Sequence, residues 1–274
     1  MTDLYAVFGN PIAQSKSPDI HTAFAQSTGE KLVYEKRLAE VGEFVPAAKA
    51  FFADGGRGLN ITAPFKLDAF SMAQELSERA ENAGAVNTLL IKDGKFYGDN
   101  TDGFGLVYDI TENLGWSLAG KKLLILGAGG AVRGILQPIL EANPSSVVVA
   151  NRTASKADEL AKLFSRYGNI KGCGFTDLEN SPFDMIINGT SASLTGELPP
   201  LPENIIDKNT FAYDLTYGAK PTVFMNWSAE NKAVNIADGL GMLVCQAAES
   251  FYLWRGVRPE TQSVINKIRQ SLTT

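Results

Sequence analysis

An apolar segment that runs into a glycine-rich turn and then into a helical pattern constrains this chain more than any other feature. The segment covers residues 123–134. Gly127 allows a tight turn, Gly129 allows backbone to approach a pyrophosphate, and the following helix N-terminus supplies N–H groups and a positive dipole end. Val132 stands where the dinucleotide-binding fingerprint usually has its third Gly or Ala. The pattern predicts a nucleotide-binding unit, and the alternative is an ordinary strand-to-helix turn.

The residues after the next predicted strand indicate which dinucleotide binds. NAD-binding units usually have an Asp or Glu there, about 20 residues after the glycine turn, to contact the ribose 2′-hydroxyl. This chain has Asn151, Arg152 and Thr153 instead. A guanidinium suits a 2′-phosphate because it forms charge-assisted hydrogen bonds. The sequence therefore predicts NADP rather than NAD, the alternative being that Arg152 is an ordinary surface cation.

Short apolar runs alternate with longer helical patterns along the chain, which is typical of an α/β protein with parallel strands. Predicted strands cover residues 4–8, 32–38, 58–61, 123–126, 146–150, 184–187 and 211–215. Predicted helices cover residues 19–26, 43–53, 65–76, 102–114, 131–142, 155–167, 240–254 and 259–272. The strand series begins afresh at Lys121, and this break indicates two domains.

We predict an α/β fold with two domains. The first is an N-terminal substrate domain with a mainly parallel sheet, over residues 1–102 and 239–274. The second is a Rossmann-like NADP-binding domain over residues 103–238. The C-terminal helices are expected to return to the first domain, because they follow the last strand of the nucleotide-binding series.

Charge and composition exclude several functional classes. The net charge of −5 has no basic block, which disfavours nucleic acid and anionic membranes as partners. Cys173 and Cys245 are isolated and lack metal-ligand spacing, so no metal site is expected. The N-terminus lacks a basic leader, and no apolar run reaches the roughly 20 residues of a membrane helix. We expect a soluble cytoplasmic protein, monomer or homodimer, with small-molecule partners.

Two charged residues are candidates for proton transfer. Lys66 lies in the first turn of a predicted helix, where a cation is unfavourable unless it has a function or an ion-pair partner. Asp102 opens another helix and could be a simple N-cap. If the two side chains meet, they form an acid/base pair; otherwise Lys66 is a solvated helix-end lysine. His21 is interpreted as a packing residue without a chemical role.

Further polar residues lie where small ligands usually bind. Ser15 and Ser17 precede a helix, with Ser17 as the expected N-cap, and together they form a possible carboxylate seat. Asn60 and Thr62 end a strand, and Asn87 follows an apolar pair. Gln246 interrupts an apolar helical stretch, where a buried amide needs partners.

Together these segments resemble the shikimate dehydrogenase family. The resemblance is carried by residues 15–18, 60–66, 100–103, 127–133 and 151–153 and by Gln246. It implies an oxidoreductase that uses NADPH to reduce 3-dehydroshikimate to shikimate, on the route to aromatic amino acids, without a metal. Lys66 and Asp102 would be the catalytic pair.

The resemblance also implies two sets of binding residues. The substrate set is Ser15, Ser17, Asn60, Thr62, Lys66, Asn87, Asp102, Tyr217 and Gln246. The cofactor set is Gly127, Ala128, Gly129, Gly130, Ala131, Asn151, Arg152, Thr153, Thr190 and Gly239.

Two other functions fit the same residues. One is a quinate/shikimate dehydrogenase paralogue, broader in substrate and more tolerant of NAD. The other is a non-catalytic regulator that binds NADPH or a metabolite. The presence of both Lys66 and Asp102 favours catalysis, because a pure sensor needs no proton-transfer pair.

Overall fold

The computed structural model describes residues 2–190, 192 and 196–273. The chain divides into two compact units. The first unit comprises Met1–Gly105 and Leu243–Leu272, and the second comprises Leu106–Met242. The domain limits expected from sequence fall a few residues from these divisions and stay a prediction. Met1 and Thr274, which those limits include, lie outside the described residues.

The first unit is built on a six-stranded mixed sheet with strand order β2-β1-β3-β5-β6-β4. β1 pairs in parallel with β2 and β3, whereas β5 runs antiparallel to both β3 and β6. The elements are β1 (Asp3–Gly9), α1 (Ser17–Thr28), β2 (Leu32–Leu38), α2 (Phe44–Ala53), β3 (Gly56–Ile61), α3 (Lys66–Met72), β4 (Glu75–Leu76), α4 (Glu78–Ala83), β5 (Thr88–Lys92), β6 (Lys95–Asp99) and α5 (Asp102–Tyr108).

The second unit contains a six-stranded parallel sheet with strand order β12-β11-β10-β7-β8-β9. Its elements, after a π-helical turn (Asp109–Asn113), are β7 (Lys122–Leu126), α6 (Gly130–Glu141), β8 (Ser146–Asn151), α7 (Ala154–Phe164), β9 (Ile170–Gly174), β10 (Met185–Asn188), β11 (Phe211–Asp214), α8 (Val223–Glu230) and β12 (Asn235–Asp238). Short 3-10 turns cover Ser165–Tyr167, Phe175–Asp177 and Glu203–Ile205. Then follow α9 (Leu240–Arg255) and α10 (Gln262–Thr273), most of whose residues belong to the first unit.

The central strand β7 shows why the second sheet forms. Leu123 and Ile125 enter one apolar core, and Leu124 and Leu126 enter another on the opposite face, since strand side chains alternate. All four side chains are fully buried, and each such burial stabilises the fold by roughly 1.5–3 kcal/mol. A strand covered on both faces by helices is apolar at every position, and this continuous apolar run is the pattern from which the strand was predicted.

The α/β fold with two domains is confirmed, and some local predictions are corrected. The predicted helix 65–76 ends at Met72 and is followed by β4, and the predicted helix 102–114 changes to a π-helical turn at Asp109. The first sheet contains an antiparallel hairpin, β5–β6, that we did not predict. Asp93 and Gly94 connect its strands, both with positive φ, as hairpin turns require.

Ser17 is not the N-cap of α1, contrary to prediction. The helix begins at Ser17, and Lys16 occupies the cap position without a side-chain cap bond. The Ser15 hydroxyl accepts the backbone N–H of Ser17 at 3.3 Å. The side chain of Ser15 thus provides the acceptor for the first backbone N–H of the helix, which belongs to Ser17. Serine often forms such local side-chain-to-backbone bonds.

Within the part of the chain that the structure describes, every helix is too short or too polar to cross a bilayer.

Candidate active site

The side chains of Lys66 and Asp102 form an ion pair. Lys66 is the first residue of α3 and Asp102 the first of α5. Lys66 Nζ lies 2.6 Å from Asp102 Oδ2, and the two side chains are 33% and 13% exposed. Lys66 is therefore open enough to meet a ligand, while Asp102 is held mostly inside the protein.

The orientation of the Asp102 carboxylate is set from both sides. Asn87 Nδ2 donates to Asp102 Oδ1 at 2.8 Å, so each carboxylate oxygen has its own donor. The Asn100 side-chain oxygen accepts the Asp102 backbone N–H at 3.1 Å, which holds the start of α5. Charge-assisted hydrogen bonds of this kind are strong and directional. The pair is thus presented in one geometry.

Gln246 joins this cluster from α9. Asn87 Nδ2 donates to Gln246 Oε1 at 3.2 Å, and Thr101 Oγ1 lies 3.4 Å from the same oxygen. The Asn87 side-chain oxygen accepts from the Thr101 backbone N–H at 3.0 Å. The amide of Gln246, which the sequence predicted to be buried, is half-buried and has protein partners.

Asn60 is directed into the protein interior. Its Oδ1 accepts from the Tyr34 hydroxyl at 2.7 Å and lies 3.1 Å from His21 Nε2. Its Nδ2 donates to Asn87 O, Thr88 Oγ1 and Ser250 Oγ. Both ends of the amide are used by the protein, so in this structure Asn60 supports the residues around it.

The serine pair and Thr62 lie near the strand ends of the same unit. The Ser15 hydroxyl donates to Ser17 Oγ at 3.2 Å, and Ser17 is also hydrogen-bonded to Tyr34. Burial raises the pKa of Tyr34 well above its ordinary value, so its hydroxyl keeps its proton. Through Tyr34, Ser17 is connected to Asn60 and to the residues around Asp102. Thr62 is half-buried directly after β3, and its backbone N–H donates to Phe8 O.

Tyr217 and Gly239 lie in the second unit. Tyr217 is half-buried; burial raises the pKa of its hydroxyl, and the Asp238 carboxylate adds to that shift. Gly239 separates β12 from α9. A Cβ there would lie 2.1 Å from Leu215 O, so close packing alone requires a glycine.

The glycine loop has the geometry of an anion-binding turn. Gly127 has φ +102°, a conformation that side chains rarely adopt, and a Cβ would press on Gly189 O at 3.0 Å. Gly129 caps the N-terminus of α6, and Gly130 is its first residue. A Cβ on Gly129 or Gly130 would meet no described atom within 4 Å, so the open side of the loop lets a ligand approach the backbone.

In the dinucleotide-binding fingerprint the third glycine lets the helix pack closely on a strand, and in this chain that close contact is made by a different pair of residues. Val132, at the usual position of the third glycine, is fully buried. A Cβ on Gly189, at the end of β10, would lie only 2.5 Å from Val132 Cγ2. The small residue that this contact needs is therefore on the neighbouring strand end and not on the helix.

A cavity of about 700 Å³ opens beside the glycine loop. Its lining includes all of the predicted cofactor residues except Gly239: Gly127, Ala128, Gly129, Gly130, Ala131, Asn151, Arg152, Thr153 and Thr190. The volume is within the range of small-molecule and cofactor sites. Gly239 is not part of this lining.

Lys156 also lines this cavity, although it is not among the cofactor residues predicted from the sequence. It lies in the first turn of α7, four residues after Arg152, so the spacing of the two cations was a usable signal. Among the residues with described coordinates, neither Arg152 nor Lys156 forms an ion pair with a carboxylate. Phe175 and Leu198 give the cavity an apolar wall. Free cations beside an apolar wall suit a phosphorylated nucleotide.

Comparison with protein-family models gives three matches along the chain. Residues 7–89 match the shikimate dehydrogenase substrate binding domain. Residues 109–196 match the shikimate / quinate 5-dehydrogenase model, and residues 239–269 match the shikimate 5'-dehydrogenase C-terminal domain.

Full-length relatives agree with these matches. A curated protein from Cellvibrio japonicus named shikimate dehydrogenase (NADP(+)) is 59% identical over 99% of both chains. The crystal structure of an Ael1 enzyme from Pseudomonas putida is 46% identical, covers 100% of this chain and 99% of its own, and has a TM-score of 0.93. Shikimate 5-dehydrogenase from Thermus thermophilus, solved with NADP(H) and shikimate, is 29% identical over 99% of this chain and 100% of its own, with a TM-score of 0.85.

Proposed function

Because this chain belongs to the shikimate dehydrogenase family, we propose that it catalyses the reversible, NADP-dependent reduction of 3-dehydroshikimate to shikimate, a step toward the aromatic amino acids. The observation that carries the proposal is the Lys66–Asp102 ion pair, partly exposed at the lysine and fixed at the aspartate. Such a pair can transfer a proton to or from an oxygen atom of a bound ligand.

Lys66 is the general acid of the reduction. Its ammonium donates a proton to the carbonyl oxygen of the ketone as that oxygen gains negative charge, and it takes the proton back in the reverse direction. Asp102 orients the ammonium through the 2.6 Å contact. The hydroxyls of the substrate are held by Asn87, Asp102, Gln246 and Thr62, and Asn60 supports Asn87 through a hydrogen bond to its carbonyl oxygen. Tyr217 stays a predicted substrate residue.

Ser15 and Ser17 bind the substrate carboxylate. Their hydroxyls lie 3.2 Å apart at the start of α1, where the positive end of the helix dipole also favours an anion. A carboxylate replaces the bond between the two hydroxyls by a bond from each hydroxyl to one of its oxygens. This placement fixes which end of the substrate lies toward α1.

The dinucleotide is held by the cavity of the second unit. Residues Gly127–Ala131 and the α6 N-terminus bind the pyrophosphate, while Asn151, Arg152, Thr153 and Lys156 bind the 2′-phosphate and its ribose. Thr190 and Gly239 contact the remainder. When bound, NADPH supplies the hydride that the ketone carbon accepts. The monomer or homodimer state and the cytoplasmic location expected from sequence stay predictions.

Quinate remains a second substrate to be tested, because the model that matches residues 109–196 describes shikimate and quinate enzymes together. The two cations of the cavity, Arg152 and Lys156, favour NADP over NAD in either case. A non-catalytic regulator is disfavoured by the retained proton-transfer pair.

The test is a spectrophotometric assay of the purified protein with shikimate or quinate and with NADP or NAD, following the absorbance of the reduced nicotinamide. We expect turnover with shikimate and NADP to exceed the other combinations. Lys66→Ala should lower kcat by about 10²–10⁴-fold with a small change in the KM for shikimate, because general acid catalysis is worth that much.

Lys49→Ala is the matched control, since Lys49 is an exposed lysine of the same unit on α2. It should keep the activity of the unaltered protein. Turnover in Lys66→Ala close to that of the control would remove Lys66 from the mechanism. A protein that oxidises neither shikimate nor quinate would contradict the proposed function itself.

A further inference from the structure

The single histidine of the chain is buried in the first unit and contacts Asn60 of the candidate active site. His21, on α1, is 0% exposed. Its ring stacks on Tyr34 at 4.2 Å and 7° and lies 5.4 Å from the Trp254 ring and 6.2 Å from the Phe251 ring. Burial lowers the pKa of the imidazole to about 3, so the ring is neutral at ordinary pH. A neutral imidazole carries one proton, on one nitrogen or the other.

The hydrogen-bond partners of Asn60 determine which nitrogen carries that proton. Asn87 O, a carbonyl that can only accept, lies 3.2 Å from one end of the Asn60 amide, so that end is the NH2 group. The other end is the amide oxygen, which lies 3.1 Å from His21 Nε2. Because an amide oxygen can only accept, Nε2 carries the proton. Nδ1 is then the unprotonated nitrogen, and it has no hydrogen-bond partner among the described residues.

A directed series of hydrogen bonds leads from Asn60 to the ion pair. Asn60 Nδ2 donates to Thr88 Oγ1 at 3.2 Å, and Thr88 Oγ1 donates to Asn87 Oδ1 at 2.8 Å. Asn87 Nδ2 donates to Asp102 Oδ1 at 2.8 Å, and Asp102 Oδ2 contacts Lys66 Nζ. Each side-chain amide has its oxygen and nitrogen ends fixed by its neighbours. A rotation of the Asn60 amide would turn its oxygen toward Thr88 Oγ1, so that the Thr88 hydroxyl would donate to Asn60 and no longer to Asn87.

We propose that His21 is a positioning residue for the reaction: by donating Nε2–H to Asn60 it holds, together with the Tyr34 hydroxyl, the orientation of Asn60, and through Thr88 and Asn87 it steadies the Asp102–Lys66 pair. The inference rests on the proposed function, in which Lys66 and Asp102 are the catalytic pair. His21 itself touches neither of them. Its effect is on geometry, to which catalysis is sensitive, since misplacement by about 1 Å can cost about 100-fold in rate.

Two substitutions separate positioning from packing. His21→Phe keeps an aromatic ring among Tyr34, Phe251 and Trp254 but removes the donor to Asn60. His21→Gln gives up the ring but keeps an N–H at about the place of Nε2. We expect His21→Phe to unfold at a higher temperature than His21→Gln, because it keeps the aromatic packing. Its kcat should nevertheless fall about 10-fold, which corresponds to the net free energy of roughly one hydrogen bond. His21→Gln should stay within about twofold of the original kcat, and the KM for NADP should be unchanged in both.

A purely structural role predicts the opposite order, with kcat per folded molecule following thermal stability. That order, or an unchanged kcat in His21→Phe, would overturn the proposal. Phe24→Leu is the matched control, because Phe24 is buried on the same helix and packs edge-on against His21 at 6.0 Å without a hydrogen bond to Asn60. It should lower stability and leave kcat unaltered.

Nitrogen NMR tests the arrangement without an activity assay. With one histidine in the chain, labelled imidazole gives a single pair of ring signals, which should show protonated Nε2 and unprotonated Nδ1 from about pH 5 to 9. The side-chain amide signal of Asn87 should move in His21→Phe and not in Phe24→Leu. An Nδ1–H tautomer, or a stationary Asn87 signal, would refute the positioning role. Absence of shikimate oxidation in the unaltered protein would instead refute the proposed function.

Discussion

Mild acidification should destabilise the first unit through His21. Burial lowers the pKa of the folded imidazole to about 3, against 6.5 in the unfolded chain. Between these two values the unfolded state binds a proton that the folded state does not, so the free energy of unfolding falls as pH falls through about 6.5. The contribution is fully present above pH 6.5 and is lost progressively toward pH 3.

The magnitude follows from proton linkage. Going from about pH 7.5 to about pH 5.5 changes protonation of the unfolded histidine from about one tenth to about nine tenths. The corresponding loss is about 1.4 kcal/mol, and it is the same for any folded pKa well below 5.5. Tyr34 is the ionisable side chain that stacks on His21, and burial raises its pKa, so it stays neutral throughout. Phe24, Phe251 and Trp254 carry no charge.

The assay is urea unfolding of the full chain and of His21→Phe at both pH values. Trp254, the tryptophan of the first unit, reports on the surroundings of His21 by fluorescence. Carboxylates that titrate in this range do so in both proteins, so the difference between the two pH dependences isolates His21. We expect the original protein to lose about 1.4 kcal/mol more than His21→Phe. Equal losses would show that the folded imidazole takes up the proton too, and the reasoning from its burial would be wrong.

Two further substitutions test the second unit. Arg152→Asp should raise the KM for NADP by roughly 10- to 100-fold, because a charge-assisted bond to phosphate is lost and a like charge is added, with little change for shikimate. Lys162→Asp, the same charge change at an exposed position on α7, is its control, and an equal KM in the two variants would exclude Arg152 from the site. Gly241→Ala should cost about 1–3 kcal/mol in the free energy of unfolding, because the new Cβ would lie 2.0 Å from Oδ1 of the buried Asp109. In an Asp109→Ala background the same change should cost much less, and an undiminished cost there would contradict the steric explanation.

Features that depend on neighbours in sequence were largely predictable. The apolar run of β7 followed by the glycine turn is a local pattern, and the structure has a strand, a tight turn and a helix there. The charge at Lys66 could be recognised as unusual from its position in a first helical turn. The absence of an acid near Arg152 indicated the 2′-phosphate by the same local logic.

Features that depend on distant contacts could not be read from the sequence. The polar character of Asn60 suggested a ligand contact, but its partners Tyr34, Asn87 and Ser250 come together only through sheet pairing and the packing of α9. Ser17 is of a residue type that is typical of N-caps, yet it is Ser15 whose side chain accepts the first helical N–H, because of the path by which the chain enters α1. The antiparallel entry of β5 beside β3 is likewise set by long-range pairing.

The exchange of sizes between Val132 and Gly189 has a consequence for how these two positions can vary. The helix and the strand end share one small volume, filled by a valine from one side and left free by a glycine on the other. Any enlargement at position 189 has to be matched by a reduction at position 132, although the two are far apart along the chain. Homologues should therefore show paired substitution at these sites, and a search that demands a glycine in the helix would overlook dinucleotide binders that solve the same steric problem from the opposite side.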